Sequence, residues 1–244
     1  DGTGVARAFF PILVTAILFL AVIFAQSLKV EIPLAFDRVR GHSVKWPLNF
    51  FYSGVMPVIF VSALAANVQL FASMIQGWLG SATFLGGFSS GGQAVSGLSF
   101  WIGSNPILAN IITGSFRGVY AAQGVGHVLF YVLFSVLFAI FWVNTSGQDA
   151  RSQANKIVNS GMSMPGFRKD ERVLEQILKR YVGPLTIMGG AAIAILASVA
   201  NLLGALVGGT AILLAVMILY QLYQNIAQQH AVDMNPALKG FFGA

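Results

Sequence analysis

The uncharged stretch from Asn49 to Met74 limits the possible folds more than any other part of the sequence. As a helix its roughly 26 residues would rise about 1.5 Å each, enough to cross a hydrocarbon core of about 30 Å. Pro57 in the first half removes a backbone hydrogen bond and predicts a kink. Ser62 and Asn67 place polar groups inside the apolar run, where an unpartnered polar group is costly. We expect this helix to move during function or to line a passage or cavity.

Composition assigns the whole chain to the membrane proteins. Of its 244 residues, 56% are hydrophobic and 9% are charged, with a mean hydropathy of +0.75, whereas soluble domains average about 25% charged residues. Beside the stretch at 49–74, further apolar spans are predicted at 9–28, 127–146, 182–203 and 208–224. The predicted fold class is an all-α polytopic membrane protein with five transmembrane helices.

The segments between the spans differ in character. Residues 29–48 and 147–181 are polar and basic, whereas residues 75–126 are rich in Gly and Ser. Apolar pieces in the latter are broken by Gly and Pro and are expected to be re-entrant or interfacial. Residues 169–181 predict a short amphipathic helix, after which Gly183-Pro184 is expected to turn the chain into the membrane. A tight turn at 204–207 joins the last two spans.

The distribution of basic residues predicts the orientation of the chain. Twelve of the fourteen Lys and Arg residues lie in the two basic loops and the C-terminal tail, and the other two are Arg7 and Arg117. By the positive-inside rule, the loops at 29–48 and 147–181 and the C-terminus are cytosolic, and the N-terminus and the loop at 75–126 are external. These charges either only enforce the topology or form a docking surface for a large anionic partner.

Motifs for catalysis or metal binding are absent from the sequence. It contains no G-x-x-x-x-G-K-[ST] and no H-E-x-x-H, no cysteine, and no Asp, Glu, Lys or Arg within the apolar spans. His42, His127 and His230 lie in separate segments and do not suggest a set of metal ligands. We therefore expect a protein that is not an enzyme and that binds no cofactor and no metal.

A series of short motifs extends over the whole chain in a fixed order. They are SGVMPVI at 53–59, ALAANVQ at 63–69, FWV at 141–143 with Thr145, GFRK at 166–169, KRY at 179–181, NLLGAL at 201–206 and GTAILL at 209–214. Together they resemble the C-terminal half of the SecY family of protein-conducting channels, in its archaeal and eukaryotic branch. Where family members have Gly-Thr-Gly, this chain has Gly209-Thr210-Ala211, a mild departure that leaves the register unchanged.

The resemblance implies that the five spans are helices 6 to 10 of a ten-helix channel built from two inverted halves. We accordingly expect the chain to be part of a longer one. The span at 49–74 would be helix 7, one edge of a lateral gate to which Pro57, Ser62 and Asn67 belong. Ile59 and Leu214 would lie in the hydrophobic pore ring. The alternatives are a simple helix–helix hydrogen bond for Asn67 and ordinary packing for the two pore-ring residues.

The resemblance also implies partners and a location. Arg40 and Arg168 match the ribosome-facing arginines of the family, with Arg38 and Lys169 in support, so contact with rRNA through the cytosolic loops is expected. The other implied partners are small single-span subunits of the SecE/gamma and beta types, the N-terminal half of the channel, translocating polypeptides with their signal sequences, and membrane lipid. The implied location is the plasma membrane of an archaeon.

Three functional hypotheses follow. The first is the pore-forming subunit of a translocation channel, which passes unfolded polypeptides and releases hydrophobic segments into lipid. The second is half of a small-solute transporter or permease with helix 7 as a gating helix, against which the uncharged spans argue. The third, a membrane scaffold, would need neither Pro57 nor Asn67.

Overall fold

The computed structural model describes residues 2–36, 43–89, 91–115, 117–160, 162–163 and 171–234. In chain order the elements are α1 (Gly2–Ser27), β1 (Lys29–Phe36), β2 (Ser43–Asn49), α2 (Met56–Leu79), β3 (Gly87–Phe88), β4 (Ala94–Ser96), α3 (Gly97–Ile102), α4 (Ile107–Ile112), α5 (Gly118–Thr145), α6 (Ala150–Asn159), β5 (Met162–Ser163), α7 (Glu171–Leu203) and α8 (Gly209–Met234).

Five of the helices in these ranges, α1, α2, α5, α7 and α8, are long and apolar enough to cross a membrane by length and composition. The prediction of a polytopic helical membrane protein is therefore confirmed. The strands are confined to connecting segments: an antiparallel sheet of order β2-β1-β5 and the small pair β3-β4.

The long helices pack around a common apolar core, to which every one of them contributes buried side chains. These side chains include Val14, Leu18 and Val22 of α1, Val58 and Val61 of α2, Tyr131 of α5, Ile193 and Ala197 of α7, and Leu213 and Val216 of α8. Large apolar side chains also cover the outer surface, as on α5 and α8. An apolar surface of this extent is typical of a bundle that meets lipid or further helices.

A second apolar core joins the loop elements at one end of the bundle. Ile32 and Leu48 of the β1–β2 hairpin pack with buried side chains of α6 and of the first half of α7, namely Ala154, Ile157, Leu174 and Leu178. The two basic segments of the sequence thus meet at one end, here called the hairpin end. The β3-β4 pair, α3, α4 and the turn between α7 and α8 lie at the far end.

Helix α7 passes through Gly183 and Pro184 without interruption, so the expected turn at this pair is wrong. The helix has 33 residues and is about 50 Å long at 1.5 Å per residue. Its buried face continues across the proline from Leu178 to Val182 and Leu185. Because this face packs on both apolar cores, tertiary contacts outweigh the local preference of proline to end a helix.

Helix α2 begins at Met56, later than the apolar run that contains it. Pro57 lies in the first turn, where its missing N–H would have no intrahelical acceptor, so the predicted kink does not form. The preceding residues 50–55 are not helical. The Phe50 N–H instead donates to the Leu28 carbonyl at 2.9 Å, and the Phe50 carbonyl lies against Gly189, where a Cβ would come within 2.5 Å of it.

Helix α5 begins at Gly118, before the predicted start at His127. Its glycine-rich first turns lie at the far end, where α3 and α4 pack against them. A Cβ on Gly126 would come within 2.8 Å of the Trp101 ring, and one on Gly124 within 3.0 Å of Ile107. The glycines thus permit the close approach of the two short helices, which occupy the place of the predicted interfacial pieces.

Candidate functional site

Helix α2 has one buried face and one exposed face. The buried face carries Pro57, Val58, Val61, Ala65 and Ala72. The exposed residues recur at spacings of three and four, which places them on one stripe. This stripe, the open face of α2, consists of Met56, Phe60, Ala63, Asn67, Leu70 and Met74.

Asn67 is the polar residue at the centre of the open face. Among the described residues its side chain has no hydrogen-bond partner, so the alternative of a helix–helix hydrogen bond within this chain is not realised there. An amide has two donors and an acceptor, and an apolar surrounding leaves them unsatisfied at a cost. The position of Asn67 therefore favours a partner outside the described part of the chain.

Ser62 connects α2 to α8. Its hydroxyl donates to the Val58 carbonyl at 2.9 Å and lies 2.8 Å from the Thr210 hydroxyl, across 148 residues of sequence. The bond places the second turn of α2 beside the start of α8. The contact gives Ser62 a structural role that its position in the sequence did not reveal.

The two predicted pore-ring residues lie at the same depth beside this contact. Phe60, near the start of α2, contacts Phe138 and Trp142 near the end of α5. Gln76, near the end of α2, bonds to Phe88 at the far end, where α5 begins. Helix α2 is therefore antiparallel to α5, and it is also antiparallel to α8, which begins at the far end as well. Ile59 lies one turn from Ser62 toward the hairpin end, and Leu214 lies one turn from Thr210 in the same direction. Ile59 is half-buried against the core, whereas 42% of Leu214 is exposed.

A polar cluster at the far end escaped the sequence reasoning. The Gln123 amide donates to the Phe100 carbonyl at 2.7 Å and accepts from Asn105 at 2.7 Å. His127, one turn further along α5, lies with Nδ1 2.6 Å from the Ile102 carbonyl. These contacts hold α3 and its following loop on α5. The spacing of four residues that leads from Gln123 through His127 and Tyr131 to Ser135, all buried, was the signal in the sequence.

The predicted docking residues Arg38, Arg40, Arg168 and Lys169 lie outside the described residues, so they remain predictions. Nearby at the hairpin end, Lys45 and Glu31 form an exposed ion pair at 2.6 Å across β1 and β2. The Glu31 carboxylate raises the pKa of Lys45 through a hydrogen bond and through its charge. The positive charge at this end is thus partly neutralised on the hairpin itself.

Other ionisable groups at the hairpin end have structural roles. Asp149 caps α6 by accepting from the Ser152 N–H at 3.2 Å, and hydrogen bonds from Ser152 lower the pKa of this carboxyl. The Tyr52 hydroxyl donates to the Gln148 carbonyl, and burial raises the pKa of Tyr52 to about 12, with a smaller contribution from the charge of Asp149. In the described ranges, no three His, Cys, Asp or Glu side chains come together as metal ligands.

The fold and the site define a class: a multi-pass membrane protein in which one transmembrane helix exposes an apolar face around a single amide. A family profile described as SecY matches residues 3–223. The chain belongs to the SecY family. It is similar to the protein translocase subunit SecY of Methanococcus vannielii, with 41% identity over 96% of this chain and 51% of the relative, and to that of Pyrococcus furiosus, with 36% identity over 99% and 50%.

Solved structures show the same fold. One described as the structure of a protein-conducting channel has a TM-score of 0.76 and 36% identity, covering 96% of this chain and 52% of that chain. A yeast Ssh1 complex bound to the 80S ribosome has a TM-score of 0.61 and 17% identity, covering 89% and 45%. The chain therefore spans about half the length of the relatives that it matches.

Proposed function

We propose that this chain forms one half, transmembrane helices 6 to 10, of a channel that passes unfolded polypeptides across the membrane and releases hydrophobic segments into lipid through a lateral gate. The proposed role is conduction, with no catalytic step, no cofactor and no metal. Its archaeal relatives are described as protein translocase subunits, and the site geometry supports the same role here.

The observation that carries the proposal is the shared depth of Ile59 and Leu214. Residues that are far apart in the sequence are brought to one level by the antiparallel contact between Ser62 and Thr210. Two bulky apolar side chains at one level of a channel half can form part of a constriction that seals around a chain and against ions. The complementary side chains would come from the other half of the channel.

The open face of α2 supports the proposal of a lateral gate. A stripe of apolar side chains with one unpartnered amide suits a surface that alternates between lipid and a neighbouring helix. In the closed gate Asn67 would gain a hydrogen-bond partner from the other half, and in the open gate it would lose that partner. Ser62 and Pro57 would hold the beginning of the gate helix in place, since both lie in its first turns.

We propose that the hairpin end faces the cytosol and that the N-terminus lies outside, in the plasma membrane of an archaeon. Twelve of the fourteen basic residues support this orientation. The second apolar core supports it as well, because it joins the two basic segments at one end of the bundle. Archaeal sources of the relatives support the membrane assigned here.

The proposed partners follow from this orientation. The ribosome, including its rRNA, would dock on the basic loops through Arg40 and Arg168, with Arg38 and Lys169 in support. The N-terminal half of the channel would complete the pore and the gate. Small single-span subunits of the SecE/gamma and beta types, signal sequences and translocating polypeptides would complete the assembly.

The pore assignment is tested by ion permeability of the complete channel in planar bilayers. Replacing both pore-ring residues, Ile59→Ser with Leu214→Ser, should raise the resting conductance several-fold, because hydroxyls at the constriction admit water. Leu133→Ser, at an exposed apolar position of α5, is the matched control and should leave the conductance unchanged. Equal conductance of the double variant and the unaltered channel would contradict the assignment.

The docking assignment is tested separately, by co-sedimentation of the complete channel in detergent with empty ribosomes across a salt series. Arg40→Glu with Arg168→Glu should abolish binding at low salt, since charge reversal replaces attraction to phosphate by repulsion. Arg117→Glu is the control, because Arg117 lies toward the far end. Ribosome affinity that is unchanged by the double reversal would rule out these loops as the docking surface.

A further inference from the structure

A cavity of about 510 Å³ lies at the hairpin end, between the last turn of α5, the first turn of α6 and the middle of α7. It is at the level where the polar first part of α7 passes into its apolar part. The volume is in the range of pockets that bind small molecules in proteins. The channel function proposed above makes no use of this cavity.

The lining changes from charged to apolar along the helix axis. On α7 it runs from Lys179 through Gly183 to Ile187, one residue per turn on a single face and about 12 Å in total. Ile140 and Val143 of α5 extend the apolar part, and Arg151 of α6 extends the charged part. This division along a membrane-crossing helix matches the boundary between lipid headgroups and hydrocarbon chains.

Arg151 is the cation at the mouth of the cavity that can accept a ligand. The other charged lining residues are engaged: Lys179 pairs with Glu175 at 2.8 Å, and Asp149 caps α6. Arg151 is exposed and has no carboxylate partner among the described residues. A guanidinium in this situation binds phosphate with two parallel hydrogen bonds.

We propose that this cavity binds an anionic phospholipid, with its phosphate on Arg151 and its hydrocarbon chains over Gly183 and Ile187. The proposal depends on the placement of these helices in a membrane and is independent of translocation. Ile187 and Phe141, both exposed, continue the apolar path from the cavity toward the bilayer. A soluble phosphate compound would use Arg151 and leave this path empty, so the lining favours a lipid.

Gly183 gives the sharpest test, because a Cβ built there meets nothing within 4 Å. Gly183→Leu should fill the cavity, and Gly183→Ala, which carries the same Cβ next to Pro184, is the matched control that leaves room for the ligand. Arg151→Gln removes the phosphate contact at an exposed position and does not depend on tolerance of the larger side chain. The complete channel is reconstituted with phosphatidylglycerol and phosphatidylcholine, and lipids that it retains are counted by native mass spectrometry.

The unaltered channel and Gly183→Ala should retain one more phosphatidylglycerol molecule than Gly183→Leu. Arg151→Gln should bind this molecule about tenfold more weakly, as expected for loss of a charge-assisted hydrogen bond. Equal retention by all four proteins would overturn the proposal. So would displacement of the bound molecule by millimolar inorganic phosphate, which indicates a phosphate site, or its loss when a single-span partner subunit binds, which indicates a protein occupant.

Discussion

Ser62 and Asn67 are polar residues of the same apolar helix, yet they differ in what they contact. Ser62 bonds to α8 through Thr210, whereas Asn67 lies on the open face of α2 without a partner among the described residues. A hydroxyl that is satisfied within the chain stabilises the bundle. An amide that is not satisfied makes the helix sensitive to the surface that it meets.

Asn67→Leu should shift the proposed gate toward its open state. Leucine at this position faces lipid at no polar cost, so the closed gate loses its advantage by about 1–2 kcal/mol, roughly a tenfold change in the equilibrium. The measurement is the rate at which the complete channel translocates a substrate with a weakened signal sequence, which should increase. Asn67→Gln keeps the amide and serves as control; an equal increase in both variants would show that the amide is not the cause.

Asp149→Ala should destabilise α6 by about 1 kcal/mol, because the helix loses its cap. Asp149→Asn retains a capping oxygen and should cost much less. Since the folded pKa of Asp149 lies below its ordinary value of 3.8, the charged cap contributes fully above that value and is lost as the pH falls through the lower folded pKa. Thermal unfolding in detergent at neutral pH and at low pH measures both effects; identical melting of the two variants would exclude the cap.

At the scale of the elements, glycines decide which helices approach each other closely. A Cβ on Gly189 would meet the Phe50 carbonyl of the non-helical segment before α2, and one on Gly190 would come within 2.9 Å of the Ala139 Cβ on α5. Both contacts involve rigid atoms that cannot move aside as a long side chain can. The position of the segment 50–55 therefore depends on a residue more than a hundred positions later in the chain.

Gly189→Ala should destabilise the bundle by about 1–3 kcal/mol, because the added methyl displaces the backbone at Phe50. Gly77→Ala, within helix α2, is the control. It meets open space and should be neutral or stabilising by up to about 1 kcal/mol through helix propensity. Chemical denaturation of both variants in the same detergent compares them; a similar loss in both would attribute the effect to the replacement of a helical glycine and not to the contact with Phe50.

The same contacts explain which elements the sequence could predict. The number of spans followed from hydropathy alone, because each apolar run is long and nearly uncharged. Hydropathy did not predict the start of α2 or the continuity of α7, because these depend on packing against Gly189 and on the second apolar core. The sequence did not predict the β1–β2 hairpin, because Pro33 and Pro47 disfavour strands. Pro47 is tolerated because β2 is an edge strand.

The candidate site was predictable in part. Asn67 and Ser62 stood out as polar residues in an apolar run, which is a signal in the sequence itself. Ile59 and Leu214 could be chosen only from the resemblance to the SecY family, because isoleucine and leucine occur throughout the spans. Their shared depth depends on the contact between Ser62 and Thr210, and no local pattern indicates such a long-range pairing.

At the scale of the whole molecule, the distribution of charge and the packing both distinguish the two ends of the bundle. The hairpin end carries most of the described charged side chains and a core of its own, whereas the far end is built from short helices, glycine and uncharged polar groups. Each long helix therefore connects two different surroundings. The proposed function requires that the hairpin end and the far end lie on defined, opposite sides of the membrane.

Single cysteines should report that orientation directly, since the sequence has none of its own. Ser81→Cys at the far end and Ser160→Cys at the hairpin end are both at exposed positions. In intact cells a membrane-impermeant thiol reagent should label the first, and it should label the second after permeabilisation alone. The reverse pattern would invert the proposed topology and, with it, the side on which a ribosome could dock.

The unbroken course of α7 has a mechanical consequence. Helix α7 is about 50 Å long and continuous, and it is anchored in both apolar cores. A displacement of the hairpin or of α6 is coupled through this one helix to the turn before α8, and the segment that leads into α2 contacts the same helix at Gly189. A displacement at one surface of the membrane is thereby passed to segments in the membrane interior.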